Sequence, residues 1–296
     1  MTKLGYGEAI RRRRVEKYKE ADRLYNARQS VLTQITASSK GEGLTCYLES
    51  DTDVIFVVNG VLCVEAGIDL QTIPGDIDLF RMDTRVYSGH CKLLQVRQRQ
   101  NSLQGIRNAL CDNGYGGISL SSCLWVEEWM ANRPRFPTEV HHERAGPSAP
   151  ATYRGVFHTD IVVGLRCHCP SILHKWAARP RHWPPQGIVQ TVVSLGAYVT
   201  PVGVKGSEYN HMEWRICFNT GEAELVNNLN DTQAKVIVRL KMILKAIIQP
   251  NNKEITSFVL KNIILWQTEN TRQTHVHARS LFQWLHDGLS ELRTAI

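Results

Sequence analysis

The chain has 296 residues, with 43% hydrophobic and 21% charged side chains, enough for a substantial core in one large domain or two lobes. No apolar run is long enough to cross a bilayer and no secretory signal pattern opens the chain, which excludes a membrane-spanning protein and sets a cytoplasmic or nuclear expectation. A formal net charge of +7 and eight scattered cysteines then suggest a polyanionic partner and reduced thiols without disulfides.

Residues 8 to about 35 read as one amphipathic helix, with Tyr18, Ala21, Tyr25 and Leu32 at helical spacing. Its basic run, Arg11, Arg12, Arg13, Arg14 and Lys17, reads as a nucleic-acid-binding surface, or as a solvated face or localisation signal. Glu16, Glu20 and Asp22 argue against a mitochondrial presequence.

A small turn follows, Ser38-Ser39-Lys40-Gly41-Glu42-Gly43, whose amides and hydroxyls could hold phosphate oxygens. Asp51 and Asp53 then stand two residues apart at the start of an apolar run, which places both carboxylates on one strand face. Like charges on one face make sense when a divalent cation sits between them, and hard oxygen ligands point to Mg²⁺ or Mn²⁺. Val54 to Val58 and Val61 to Glu65 flank Asn59-Gly60, a hairpin signal, with further strands over Ile77 to Met82 and Cys91 to Val96.

Helical patterns cover Leu103 to Cys111 and Ser119 to Asn132, and the proline-rich stretch from Arg133 to Ala151 reads as a long loop. The strand pattern resumes at Val156 to Val163 and carries Asp160, an acid inside an apolar run where an unpaired carboxylate is costly. It is the best third ligand beside Asp51 and Asp53 in a two-metal site. Cys167, Cys169 and His174 lack a familiar zinc spacing and read as packing residues.

Beyond them come a helix near Ile188 to Leu195 and strands near Tyr198 to Val202 and Glu213 to Phe218. From Gly221 the pattern is helical: a helix capped at Asp231 with a stripe of Val236, Leu240, Ile243, Leu244 and Ile247, then Thr256 to Gln267 and His277 to Leu292. Trp214 and Trp266 read as core residues. The fold class is therefore α+β, with residues 1–219 forming the first lobe, 220–296 a helical second lobe, and a substrate cleft between them.

In order along nearly the whole chain, Ser39-Lys40-Gly41-Glu42, Glu49 to Asp53, His158 to Val162, Trp176 to Pro185, Glu213 to Phe218 and Thr256 to Lys261 carry a resemblance. They resemble the cyclic GMP-AMP synthase-like receptors and related Mab (male abnormal) proteins, most closely an invertebrate, molluscan-like branch. The resemblance implies a nucleotidyltransferase fold with a twisted mixed sheet and a helical C-terminal lobe. It implies condensation of ATP and GTP into a cyclic dinucleotide after double-stranded RNA or DNA binds, in innate immune sensing. Asp51, Asp53 and Asp160 would hold two Mg²⁺ ions, and Ser39 the phosphates.

The same resemblance assigns Arg215 to base and phosphate contacts, Lys241 to the triphosphate, Ser257 to the nucleotide and Phe258 to base stacking. From the residues alone, Arg215 reads equally as a strand residue paired to a carboxylate and Lys241 as a salt-bridge donor between helices. Two departures stand out: Ser38 where the family has Gly, and Thr52 where it has an apolar residue. A catalytically inactive Mab-type protein that binds nucleotides or a developmental partner is the alternative expectation.

Overall fold

A computed structural model describes residues 2–46, 49–133, 137–143, 146–248 and 256–295. In chain order the elements are α1 (Glu8–Asn26), β1 (Leu32–Thr36), α2 (Ser38–Gly41), β2 (Thr52–Val64), β3 (Asp78–Asp83) and β4 (His90–Arg97). Next are α3 (Gln104–Asn108), β5 (Leu110–Asp112), β6 (Ile118–Leu120), α4 (Ser122–Asn132), β7 (Glu139–His141), β8 (Ala149–Tyr153) and β9 (Phe157–His168). The remainder is α5 (Pro170–Ala177), α6 (Gln186–Leu195), β10 (Ala197–Thr200), β11 (Glu213–Cys217), α7 (Asn219–Asn227), α8 (Asp231–Ile243), α9 (Ser257–Asn270) and α10 (Leu281–Ala295). The fold is α+β, with the described strands in one mixed sheet. No helix among the described residues is long and apolar enough to cross a membrane, and all eight cysteines are free.

The long first helix ends at Asn26, nine residues short of the expected end. Asn26 turns back on the chain by exchanging hydrogen bonds with the Gln34 main chain, and Asp22 accepts from the Thr36 amide and hydroxyl. These side chains reward an extended Leu32 to Thr36, whose Thr and Ile residues favour a strand.

Asn59-Gly60 does not turn a hairpin. β2 runs straight through it as one strand, with a register shift between Val58 and Leu62 and Gly60 at a φ of 75°. The extra residues form a bulge, for which a left-handed glycine is suited. The two halves of β2 have different partners on one side: 54 to 58 pair with β1, and 61 to 64 pair with β3. On the other side both halves lie parallel to β9. Pairings then close on themselves through β2, β3, β4, β11, β10 and β9, which makes β2 and β9 the centre of the sheet.

The stretch from Arg133 to Ala151 is more ordered than its prolines suggested, although 134–136 and 144–145 lie outside the described residues. β7 and β8 pair antiparallel, and buried Arg133 bonds the Ala149 carbonyl at 3.1 Å and pairs with Glu139.

Two large buried clusters, with two smaller ones beside them, hold the described residues together. One fills the sheet with Phe80, Leu93, Leu165 and Trp214 against Trp125 of α4, and the Trp214 indole donates to the Leu120 carbonyl at 2.9 Å. The other joins α7 to α10 and takes in Leu44 and Trp183 from the first segment. Its middle helix is α8, buried on several sides through Val236, Ile237, Val238 and Leu240. Burial of such side chains stabilises by about 1.5 to 3 kcal/mol each. Asn230, not Asp231, caps α8, in a reciprocal capping box with Gln233. The α-helix gives way to a π-turn at Leu244–Ile248, which leaves Ile247 exposed instead of in the stripe.

Candidate active site

The register of β2 against β9 brings the acids together. Asp53 lies directly opposite Asp160 in the parallel ladder, so both side chains leave the sheet on the same face. Asp51 stands one residue before β2 and is exposed. Burial pushes the Asp53 carboxyl up to about 6; a hydrogen bond from Ser38 opposes the shift, and the charges of Asp160, Asp51 and Glu42 add to it. The acids form a site of negative charge whose field reaches the partly buried Lys241 ammonium.

The same sheet face carries Arg215. Tyr198 pairs with Arg166, and Thr200 with Arg215, so period-two alternation places Asp160, Gly164, Thr200 and Arg215 on one side. Gly164 is required there, since a Cβ would meet the Val199 carbonyl at 2.8 Å. Arg215 is exposed, and among the described residues it makes no ion pair.

The Ser/Gly segment folds as the short helix α2 instead of an open turn. Ser38 enters it at a φ of 52°, in the left-handed region that costs a non-glycine residue about 1 kcal/mol or more. Gly43 leaves it at a φ of 68°, where a Cβ would meet the Arg11 carbonyl at 2.6 Å. Lys40, buried, donates to the Cys46 carbonyl at 2.5 Å and ties α2 to the loop that leads to Asp51. Glu49 in that loop accepts from Tyr6 at 2.6 Å and from the Cys46 amide at 2.7 Å. Burial alone would raise its pKa, but these two donors hold it below the usual carboxylate range.

Ser39, Lys241, Ser257 and Phe258 line one small pocket of about 50 Å³ together with Ser38, Glu42 and Lys261. Four of the five nucleotide-contact candidates, from α2, α8 and α9, therefore meet at one place, while Arg215 does not line it. Lys241 donates to the Ser39 hydroxyl. Burial holds its ammonium below the ordinary lysine range, against the pull of Glu42, Glu49 and Asp53. Ser38 lines this pocket and bonds Asp53, so the pocket adjoins the acids.

Beneath the pocket is an ion knot that sequence reasoning missed. Lys261 of α9 donates to Glu42 and to Glu222 of α7, each at 2.7 Å. Burial alone would lower its pKa, but the two carboxylates override that and hold it well above the ordinary lysine range. A lysine beside Leu260 in the apolar run of α9 was the available signal, since such a charge is retained only when paired.

The basic helix separates into two kinds of residue. Arg11 is buried and donates to the Val226 and Leu229 carbonyls at 3.1 and 3.2 Å, so it anchors α1 to the end of α7 and cannot serve a phosphate. Arg14 bonds the Cys46 sulfur and stacks on Tyr6. Arg12, Arg13 and Lys17 are exposed. Two other expectations are settled by burial. Trp214 is core as expected, whereas Trp266 is 54% exposed, under the Arg179 guanidinium.

The donor set suits a hard divalent cation: carboxylates on neighbouring parallel strands, one of them raised by burial and, to a lesser degree, by the neighbouring acids. Among the described residues, however, no three His, Cys, Asp or Glu side chains are gathered closely enough to hold a metal, Cys167, Cys169 and His174 included. No protein-family model matches the chain, and no curated protein matches it.

Proposed function

We propose that the protein is a nucleotidyltransferase that joins nucleoside triphosphates, ATP and GTP first, into a cyclic dinucleotide when double-stranded RNA or DNA docks on α1, in innate immune sensing. The observation that carries this reading is the in-register pair Asp53 and Asp160, where burial, with the charge of Asp160 adding to it, raises Asp53 beside a pocket holding Ser39 and Lys241. Asp51, Asp53 and Asp160 would hold Mg²⁺ or Mn²⁺. When bound, the cations supply Lewis-acid stabilisation of the charge that develops on the transferred phosphate.

The chain's own residues would do the rest. Ser39 and Lys241 would exchange their mutual hydrogen bond for phosphate oxygens, Ser257 would bond the nucleotide, and Phe258, 55% exposed, would stack on a base. Arg215, on the acid face, would meet a base or phosphate that extends beyond the pocket. The nucleotidyltransferase fold and a cleft between two lobes belong to this same reading, which the mixed sheet and the helical cluster support. Arg12, Arg13 and Lys17 would meet the polyanion.

Incubation with labelled triphosphates, Mg²⁺ or Mn²⁺ and double-stranded RNA or DNA, read by mass spectrometry, tests it. A cyclic dinucleotide that disappears in the Asp51→Asn, Asp53→Asn double variant is the expected result; no product under any combination rejects catalysis.

A second reading has its own support. The pocket of about 50 Å³ is far below the roughly 300 Å³ of ordinary ligand sites, Lys241 occupies Ser39, and the acids are not gathered for a metal. These features favour a catalytically inactive, Mab-type protein that binds a nucleotide or a developmental partner. Nucleotide-dependent thermal stabilisation without turnover would select it.

A further inference from the structure

An apolar recess walled by aromatic side chains lies away from the acids. It has a volume of about 370 Å³, and its walls include Trp176 of α5, Trp183, Phe218 and Trp266 of α9. None of Asp51, Asp53, Asp160, Ser39 and Lys241 lines it. Volume and chemistry both match a small-molecule site: ordinary ligand pockets begin near 300 Å³ and are mostly apolar with a few polar groups.

The walls are held in place before any ligand arrives. Arg179 lies 5.6 Å from the Trp266 ring centre and Arg181 4.5 Å from that of Trp176. Trp183 is buried in the helical cluster. Rings fixed in this way lose little freedom on binding, which favours affinity.

Charge narrows the ligand class. Two carboxylates, Glu222 and Glu269, reach the recess, and each already has a cation: Lys261 at 2.7 Å from Glu222, and Arg179 at 3.0 Å with Arg181 at 3.9 Å from Glu269. A polyphosphate would face two acids, and an organic cation would have to compete with three resident cations. A neutral ligand disturbs none of these pairs. Size narrows it further, because a cavity of about 150 Å³ holds one benzene ring, so this recess takes two or three fused rings.

We infer that this recess is a binding site for a neutral, flat aromatic molecule of two or three fused rings, separate from the acidic site. Glu222 is both part of its wall and a partner of Lys261, so the ligand would lie one ion pair away from Glu42 and α2. The inference does not rest on nucleotidyl transfer.

Calorimetric titration of the whole protein with naphthol, in the absence of nucleotide and metal, tests it, with naphthoate and trimethylnaphthylammonium as charged counterparts. Saturable one-to-one binding of naphthol, with either charged form about tenfold weaker or worse, is expected. Trp266→Ala removes an exposed wall at little cost to folding, and Leu225→Trp fills the recess; each should weaken naphthol about tenfold or more. Circular dichroism first establishes that both variants are folded. No saturable binding to the wild type, equal binding of the charged forms, or undiminished binding to folded Trp266→Ala would each overturn the inference.

Discussion

Two acidic groups lie side by side around α2 and are treated in opposite ways. Glu42 and Glu222 are matched by one buried lysine at 2.7 Å on each side, whereas Asp53 and Asp160 face each other across two parallel strands and, among the described residues, neither makes an ion pair. The first arrangement joins α2, α7 and α9 and explains itself as structure. The second fits the proposed cation site, because like charges held together in a partly buried place lower stability until a cation joins them.

The comparison breaks most severely at Lys261. Lys261→Met would leave Glu42 buried without its partner, and loss of one member of a buried pair costs about 3 to 5 kcal/mol. Chemical denaturation at neutral pH should show that loss; a change below about 1 kcal/mol would mean that the knot contributes little.

Asp53→Asn should act in the opposite direction. The folded-state pKa of about 6 lies above the unfolded value near 3.9, so between those values the folded protein holds more protons than the unfolded chain. The Asp53 contribution to stability is therefore greatest below about pH 4 and is lost as pH rises through about 6, by about 3 kcal/mol for a shift of two units. The Asn variant lacks this fall and should be the more stable protein at neutral pH. Melting curves across that window check it, and parallel pH profiles for the two proteins would refute the assignment.

A smaller effect separates the two kinds of arginine on α1. Arg11→Gln should destabilise by about 1 to 3 kcal/mol, because two buried carbonyls lose their charged donor. Arg12→Glu with Arg13→Glu should leave stability within about 0.5 kcal/mol yet weaken binding to double-stranded RNA and flatten its salt dependence. Unchanged RNA affinity in that pair would move the polyanion surface elsewhere.

The smallest change in stability is expected at Ser38. Ser38→Gly relieves left-handed strain of about 1 kcal/mol but removes the hydrogen bond to Asp53, of similar worth, so the net should stay within about 0.5 kcal/mol. The Asp53 midpoint should nevertheless rise, since that bond is what favours its charged form. A falling midpoint would show that Ser38 acts otherwise.

What the sequence made legible follows from where its signals are local. Asp53 and Asp160 were readable because a charge in an apolar strand has few explanations, and the π-turn at Leu244–Ile248 was not, because nothing in the periodicity interrupts there. Asn59-Gly60 carries the same residues in a bulge as in a hairpin, and only the partners of β2 on either side decide between them. Arg11 reads like its three neighbours, and its burial depends on α7, over 200 residues away in the chain. Glu42 was read as part of a turn because its partners, Glu222 through Lys261, come from two distant helices. Ser39, Lys241, Ser257 and Phe258 were reached through resemblance, and their meeting in one pocket is a tertiary fact.

The central claim is that Asp53 and Asp160 form an acidic pair waiting for a cation, and titration of the Asp53 carboxyl by carbon-detected NMR, with and without saturating Mg²⁺, tests it most directly. Without Mg²⁺ the midpoint should lie at about 6. With Mg²⁺ it should fall by about one unit or more, as a neighbouring positive charge favours the carboxylate. A midpoint near the ordinary value of about 3.9 without the metal, or one that Mg²⁺ leaves unmoved, would contradict the account.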